Sequence, residues 1–422
     1  MFNIVKYGAV ADGKTLNTAA IQAAIDACAA AGGGRVTIPA GVFKSGTIWL
    51  RSFVELHLEN GAVLLASDRL EDYNDSDAYP QNFDVPSEDW LGKHLIIAHE
   101  LEHVAITGFG ILDGNCYAFV EDVLEHPGWF RWRSGVTRVT TPSGMRPGQL
   151  VAFVECSHVD VQDITIRRSG CWSVFLHGCR FVNVRGIKVH NPINMLNSDG
   201  IDIDTCCNVT VSDCMIETGD DGITLRCDRK RLKNQEIQTE YITITNCVIH
   251  TNVCGFRIGV GSGHIRHVRI SNIVISRCRE LLQFCTAYNT RGHACIEDLY
   301  VSGVSATDTD RMISMFANNG TYVKDVCVEN VRTTACAMSY IEVNDGQIDN
   351  IRLRNVEIRA FDRYASLDED TMNQRGHYVF HAKGATNLVL EDVRIYGDFA
   401  VRKEKTLIED CPDAQLRNCR LD

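Results

Sequence analysis

The chain lacks any stretch approaching the roughly 18 consecutive apolar residues that a membrane-spanning helix needs, which excludes a helical integral membrane protein. Proline is scarce, with 8 in 422 residues, and no Pro-rich or Gly/Ser-rich tract interrupts the sequence, so nothing in it reads as a linker. Cations are also in deficit. Lys and Arg number 42 against 54 Asp and Glu, a formal net charge of -12, and this argues against a nucleic-acid or anionic-membrane partner, whose sequence-independent binding needs clustered positive charge. Cys-x-x-Cys spacing is missing although there are 18 cysteines, so a structural zinc site is not expected. Many of the cysteines, including Cys179, Cys214, Cys247 and Cys278, fall inside apolar segments, where free thiols behave as small hydrophobes, and reduced cysteines are expected. Met1 leads directly into Phe2-Asn3-Ile4-Val5 without a basic and then apolar leader, from which a cytoplasmic protein is expected, with a secreted one trimmed of its leader as the alternative.

What is present is a repeat. From residue 100 onward a polar residue, an alternating apolar pair, a Gly, Asn or Asp and a second apolar pair recur about every 25 residues. The copies include His103-Val104-Ala105-Ile106, His158-Val159-Asp160-Val161, Phe181-Val182-Asn183-Val184, Asn208-Val209-Thr210-Val211, Tyr241-Ile242-Thr243-Ile244 and His267-Val268-Arg269-Ile270. Later ones are Asp298-Leu299-Tyr300-Val301, Asp325-Val326-Cys327-Val328, Asn350-Ile351-Arg352-Leu353 and Asn387-Leu388-Val389-Leu390. Each copy predicts two short strands joined by a bend, and neither strand buries its apolar face alone. Stacked parallel coils solve this, so the fold class expected is an all-β, single-stranded right-handed parallel β-helix. A β-sandwich or propeller is the competing arrangement, but the copies are short for a propeller blade and lack hairpin dipeptides. Thr18 to Ala31 predicts an N-terminal capping helix, with Asn17 or Thr18 as its cap and Gly32-Gly33-Gly34 as its stop. One domain over 1–422 is expected, with the cap and first coils in 1–60 and repeated coils in 100–422. Asp72 to Trp90, Gly114 to Gln149 and Arg226 to Glu240 break the period and predict loops; the second carries Trp129, Phe130, Trp132 and Arg133, a candidate wall for stacking sugar rings.

Two acidic turns, Asn197-Ser198-Asp199-Gly200 and Gly219-Asp220-Asp221-Gly222, fall in successive repeats. Asp199 and Asp220 are 21 positions apart, about one coil, which predicts three carboxylates on one face. Crowded carboxylates retain a proton that separate ones would lose, and cleavage of a glycosidic bond needs one protonated acid and one ionised base. The same residues could instead be ordinary turn formers or bind Ca²⁺.

These motifs resemble those of family 28 glycoside hydrolases, the polygalacturonase and rhamnogalacturonase group. Tyr7-Gly8-Ala9-Val10-Ala11-Asp12-Gly13 with Gly33-Gly34-Arg35-Val36-Thr37-Ile38-Pro39-Ala40-Gly41 resembles the family's amino-terminal cap; Asn197-Ser198-Asp199 resembles its Asn-Thr-Asp motif, and Gly219-Asp220-Asp221 its Asp-Asp motif. The resemblance implies Asp220 as general acid, Asp199 and Asp221 as the pair that activates water, and inversion, for which an acid–base separation of about 6.5 to 9.5 Å is expected. Two departures follow. Cys254 stands where the family's Gly-His-Gly histidine belongs, and Gln283-Phe284-Cys285 stands where Arg-Ile-Lys belongs. Loss of those cations disfavours homogalacturonan, so rhamnogalacturonan-type or mixed uronate-containing oligosaccharides from pectin are the expected substrates.

Asn197, Arg226, Cys254, Arg257, His264 and Gln283 are the candidate substrate-binding residues, and no metal or cofactor is expected. The run Arg229-Lys230-Arg231-Leu232-Lys233 reads as a solvated loop that could block one end of a cleft and favour exo action. A Ca²⁺-dependent polysaccharide lyase and a non-catalytic carbohydrate-binding β-helix are the alternatives. The sequence leaves the oligomeric state open.

Overall fold

The computed structural model describes residues 2–75, 84–85, 88–122, 139–141, 145–288, 292–361, 378–398 and 405–421. Two compact units are distinguished: Met1–Asp221 with Arg229–Ile237, and Gly222–Asp228 with Gln238–Asp422. Each is built of right-handed parallel β-helix coils. Among the described residues no helix is long and apolar enough to cross a membrane.

The first unit opens with the expected cap. The helix Thr18–Ala30 turns Ile21, Ala24, Ile25 and Cys28 fully inward. It stops where Gly32 and Gly33 take φ of 95° and 100°; a Cβ at Gly33 would lie 2.5 Å from the Phe53 carbonyl. Asn17 occupies the N-cap position, but its side chain makes no capping bond. Asn17 Oδ1 instead accepts the Val10 N–H at 2.7 Å, and Thr18 Oγ1 accepts the Gly46 N–H at 2.8 Å, so both residues fasten the cap to the first coil.

Three strand ladders make the walls of this unit. One runs through Val54–Leu58, Glu102–Gly108, Ser157–Gln162, Arg180–Arg185 and Cys207–Ser212. Its register is in step: Val104, Val159, Val182 and Val209 stack, as do Ile106, Val161, Val184 and Val211, and all are at most 2% exposed. A second ladder passes through Ala62–Ala66, Ile111–Asp113, Thr165–Arg167, Lys188–His190 and Met215–Thr218. The third, Ile48–Trp49, Ile96–His99, Val151–Val154, Val174–His177 and Ile201–Asp204, carries a strand that the repeat pattern did not announce.

The bends explain the polar residues of the repeat. The first residue of every quoted copy, from His103 to Asn387, has φ between 49° and 58°. Left-handed backbone costs about 1 kcal/mol or more outside glycine, least for Asn and Asp. Where a ring occupies the position, stacking compensates: the rings of Phe53, His103, His158 and Phe181 follow one another at centroid separations of 5.4, 4.4 and 5.0 Å. The second bend uses Asp163, Gly186 and Asp213 here. In the second unit it uses Asn246, Asn272, Gly303, Asn330, Asn355, Asp392 and Asn418, with Asn272 Nδ2 donating to Asn246 Oδ1 at 2.7 Å.

The second unit repeats the plan. Its long strand Cys254–Cys285 pairs with His293–Ala306, which continues to Tyr322–Ala335, Gln347–Phe361 and Val389–Asp398. The third interruption is shorter than expected, because the strand Ile223–Asp228 runs on past Arg226 and Thr239 resumes pairing. Residues 229–237 belong to the first unit: Leu232 is buried, the amides of Lys233 and Asn234 both donate to Glu155 Oε1, and Lys233 Nζ pairs with Glu100.

None of the 18 cysteines forms a disulfide. Cys156, Cys179 and Cys206 sit at matching places in successive coils, and each thiol donates to a carbonyl one coil back, those of Ala98, Phe153 and Leu176.

Candidate active site

The first acidic turn leads into the unannounced third strand, and the second begins one coil later. The Ser173 N–H donates to the Asp199 carbonyl at 2.8 Å and the Gly200 N–H to the Asp221 carbonyl at 2.9 Å, so the ladder continues through both turns. This brings the three carboxylates together. One oxygen from each of Asp199, Asp220 and Asp221 lies within 4.8 Å of the others. Asp199 and Asp221 are buried and Asp220 is half-buried. The nearest oxygens are thus closer than the separation of about 6.5 to 9.5 Å expected for an acid–base pair flanking a water.

Backbone donors fix Asp220. Its Oδ2 accepts the Asn197 N–H and its Oδ1 accepts the Asp221 N–H, each at 3.0 Å. Beneath the turns, Ser198 Oγ donates to the Met195 carbonyl and accepts the Gly219 N–H, both at 3.0 Å, while the Thr218 hydroxyl donates to the Ser198 carbonyl. Asn191 ties the layer to the preceding coil through Ser173 Oγ at 2.8 Å and the Ser198 carbonyl at 3.0 Å. Gly219 is required by this packing, since a Cβ there would stand 2.2 Å from the Met195 carbonyl oxygen.

Asn197 itself is left-handed, with φ of 51°. Two segments from the interrupted regions hold it. Arg146 Nη2 donates to Asn197 Oδ1 at 2.8 Å, and Asn197 Nδ2 donates to Glu88 Oε2 at 3.3 Å. Trp90 Nε1 donates to the same Glu88 oxygen at 3.1 Å, and Trp90 packs with Ala152, Cys171, Trp172 and Phe175. Sequence reasoning missed Glu88, Trp90, Arg146 and Trp172. The aromatic residues it did single out, Trp129, Phe130 and Trp132, lie with Arg133 outside the described residues.

In the second unit, Cys254, Arg257 and Gln283 come together. The Arg257 guanidinium donates to Gln283 Oε1, and Cys254 Sγ lies 3.6 Å from the same oxygen. Gln283 Nε2 donates at 2.9 Å to Glu280, which sequence reasoning also missed. Burial alone would raise the Glu280 carboxyl, but Arg279, Arg311, the Ser314 hydroxyl and Arg257 outweigh it and hold it at about 2. Residues 283 and 285 are uncharged, as expected, but the Arg257 guanidinium reaches Gln283, and Arg311, opposite Glu280 in the strand register, reaches Glu280. His264 belongs to a different network, its Nδ1 3.3 Å from Tyr322 Oη, which donates to Glu297. Arg226 is half-buried on Ile223–Asp228, its carbonyl accepting from Thr239.

Two groups of described side chains have spacing that would suit a cation. His99, Glu100 and Glu155 form one, where the Lys233 ammonium and two backbone amides already supply donors. The other is the trio of aspartates.

Among known proteins, the chain is 32% identical over 255 residues to an exo-poly-alpha-D-galacturonosidase from Dickeya chrysanthemi, a match covering 53% of this chain and 41% of that one. The chain covers 41%, 63% and 64% of the lengths of the first three curated relatives it matches. Its fold is similar to that of an exopolygalacturonase from Thermotoga maritima, with a TM-score of 0.63 and 21% identity over 96% of this chain and 91% of the other. A family 28 exopolygalacturonase from Yersinia enterocolitica gives a TM-score of 0.63 and 20% identity, covering 100% and 78%. The sequence model of glycosyl hydrolases family 28 matches residues 28–281, a span that holds Asn197, Asp199, Asp220 and Asp221 and more than half of the chain. On that match, the chain belongs to family 28 of the glycosyl hydrolases.

Proposed function

We propose that this chain is an exo-acting, inverting hydrolase of galacturonate-containing oligosaccharides of the pectin type. The observation that carries hydrolysis is the convergence of Asp199, Asp220 and Asp221, while inversion is drawn from the family resemblance and not from their spacing. Cleavage of a glycosidic bond needs one carboxyl that carries a proton beside carboxylates that do not, and three such groups within reach of one another can fill both roles. Asp220, the most exposed of the three, gives that proton to the glycosidic oxygen as the bond to the anomeric carbon breaks. Asp199 and Asp221 hold a water and take its proton as the oxygen attacks the opposite face of the sugar, which inverts the anomeric centre.

The galacturonate assignment draws on the names of the relatives. A second reading, a rhamnogalacturonan-type substrate, is favoured by Cys254 and Gln283 standing at positions where the family carries a histidine and a cation.

The test is product analysis by mass spectrometry and NMR on paired homogalacturonan and rhamnogalacturonan oligosaccharides, with and without a chelator, beside Asp220→Asn. Release of one terminal sugar with inverted anomer, unaffected by chelator and reduced by at least about 10³-fold in the variant, is the expected result. An unsaturated, ultraviolet-absorbing product lost on chelation would replace the hydrolase by a lyase. Turnover of neither panel would remove the pectin assignment.

A further inference from the structure

We propose that Arg146 is a positioning residue for the hydrolytic step, acting on Asp220 through the single peptide that joins Leu196 to Asn197. The inference rests on the reading of Asp220 as the general acid.

Arg146 is buried, 2% exposed, and the three acceptors that hold its guanidinium are uncharged. They are the Leu196 carbonyl at 3.2 Å, the Glu88 carbonyl at 3.1 Å and Asn197 Oδ1 at 2.8 Å. A neutral donor could fasten these loops at a lower desolvation cost, so what the guanidinium adds is charge and a planar fork. Both bear on one peptide. The Leu196 carbonyl that receives Arg146 and the Asn197 N–H that donates to Asp220 Oδ2 are opposite ends of the same planar unit. A cation on the oxygen polarises that unit and strengthens the bond its N–H makes to the carboxylate. The second arm of the fork grips the Asn197 side chain and keeps that residue left-handed, which aims the N–H.

The base of the fork is itself fixed. Arg146–Pro147 pairs in parallel with Trp90–Leu91, the Arg146 N–H donates to the Asp89 carbonyl at 3.1 Å, and Trp90 is wedged against Trp172 with ring centroids 5.8 Å apart. Among the described residues, Asp199 and Asp221 bring an oxygen within 4.8 Å of Asp220, and Glu88 accepts from the Asn197 side chain. Cys171 stays a neutral thiol, its ionisation driven upward by burial. Arg146 and Glu88 thus bring opposite charges to the Asn197 turn.

The experiment compares Arg146→Gln, Arg146→Lys, Glu88→Gln and Asp220→Asn by kcat, KM and pH–rate profile on the oligosaccharide the parent cleaves, with melting curves as a check on folding. Arg146→Gln is expected to lower kcat by about 30-fold or more with KM within about threefold, because the loss is in the alignment of the acid. Removing a positive charge raises the carboxyl pKa values, so both limbs of its profile move up by about half to one pH unit. Arg146→Lys keeps the charge, leaves the limbs in place and restores part of kcat. Glu88→Gln removes a negative charge from the same turn and moves the limbs down.

An Arg146→Gln enzyme with parental kcat, or with a loss that leaves the limbs unmoved and is not relieved in Arg146→Lys, overturns the proposal. Should Arg146→Gln not fold, an unmoved profile in Glu88→Gln together with parental kcat in Arg146→Lys overturns it equally. Persistent turnover in Asp220→Asn would instead remove the acid assignment on which the inference rests.

Discussion

Replacing Gly219 by alanine puts a methyl group where the structure has no room for one. The new Cβ would lie 2.2 Å from the Met195 carbonyl oxygen and 2.9 Å from both the Met195 nitrogen and the Pro192 carbonyl, all backbone atoms that no rotamer change can clear. The turn below is held from both sides, because the Met195 N–H donates to the Pro192 carbonyl at 2.9 Å and the Met195 carbonyl accepts Ser198 Oγ. Relief must come from residue 219 itself, which has to retreat by about 1.2 Å to reach ordinary contact. That carries Asp220, the next residue, off its two amide donors. The expected cost is about 1–3 kcal/mol of stability and about 100-fold in kcat, the usual penalty for a 1 Å misplacement of a reacting group. Denaturant midpoints and steady-state kinetics measure the two effects. Gly320→Ala provides the comparison, since nothing lies within 4 Å of its Cβ and only its φ of 68° is penalised; it should lose about 1 kcal/mol and no activity. A Gly219→Ala enzyme within threefold of the parent would refute the reasoning.

Two further outcomes follow from the second unit. Asn272 is left-handed and donates to Asn246, so Asn272→Ala should cost about 1–2 kcal/mol and Asn272→Gly about 1 kcal/mol less than that; equal denaturant midpoints for the two variants would dismiss the bend as a source of strain. Glu280 is held at about 2, well below the range of about 4.3 of an unfolded chain, so its stabilisation is fully present above that range and is lost as the pH falls towards 2. Glu280→Gln should cost about 3–5 kcal/mol at neutral pH by removing the buried carboxylate that the half-buried Arg279 and Arg311 guanidinium groups face, and its stability should fall less steeply than the parent's between pH 4.5 and 2; parallel curves would contradict the assignment.

The alternation that reveals a strand exists only where one face is buried and the other is wet. Val159 and Val161, or Val182 and Val184, announce themselves because the residues between them are at least partly exposed. The strands Val151–Val154, Val174–His177 and Ile201–Asp204 are buried on both faces and carry no such rhythm, so the ladder that leads from the acidic turns was invisible to periodicity. The aspartates were legible because their glycines and their one-coil spacing are local properties of the sequence. Arg146 and Glu88 were not, being 51 and 109 positions from the Asn197 they hold. Glu280 falls between these cases: Arg311 stands opposite it in the strand register, 31 positions on, and aligning the chain coil by coil would have exposed the pair.

The stacked thiols of Cys156, Cys179 and Cys206 give this molecule a built-in gauge of local opening. Because each is sealed within its own coil and bonded to the coil before it, a thiol becomes reactive only when that particular turn lifts away. In a chain whose cohesion is shared between nearest neighbours, the order in which such sites take up an alkylating reagent maps where the solenoid frays first, position by position and without any engineered label.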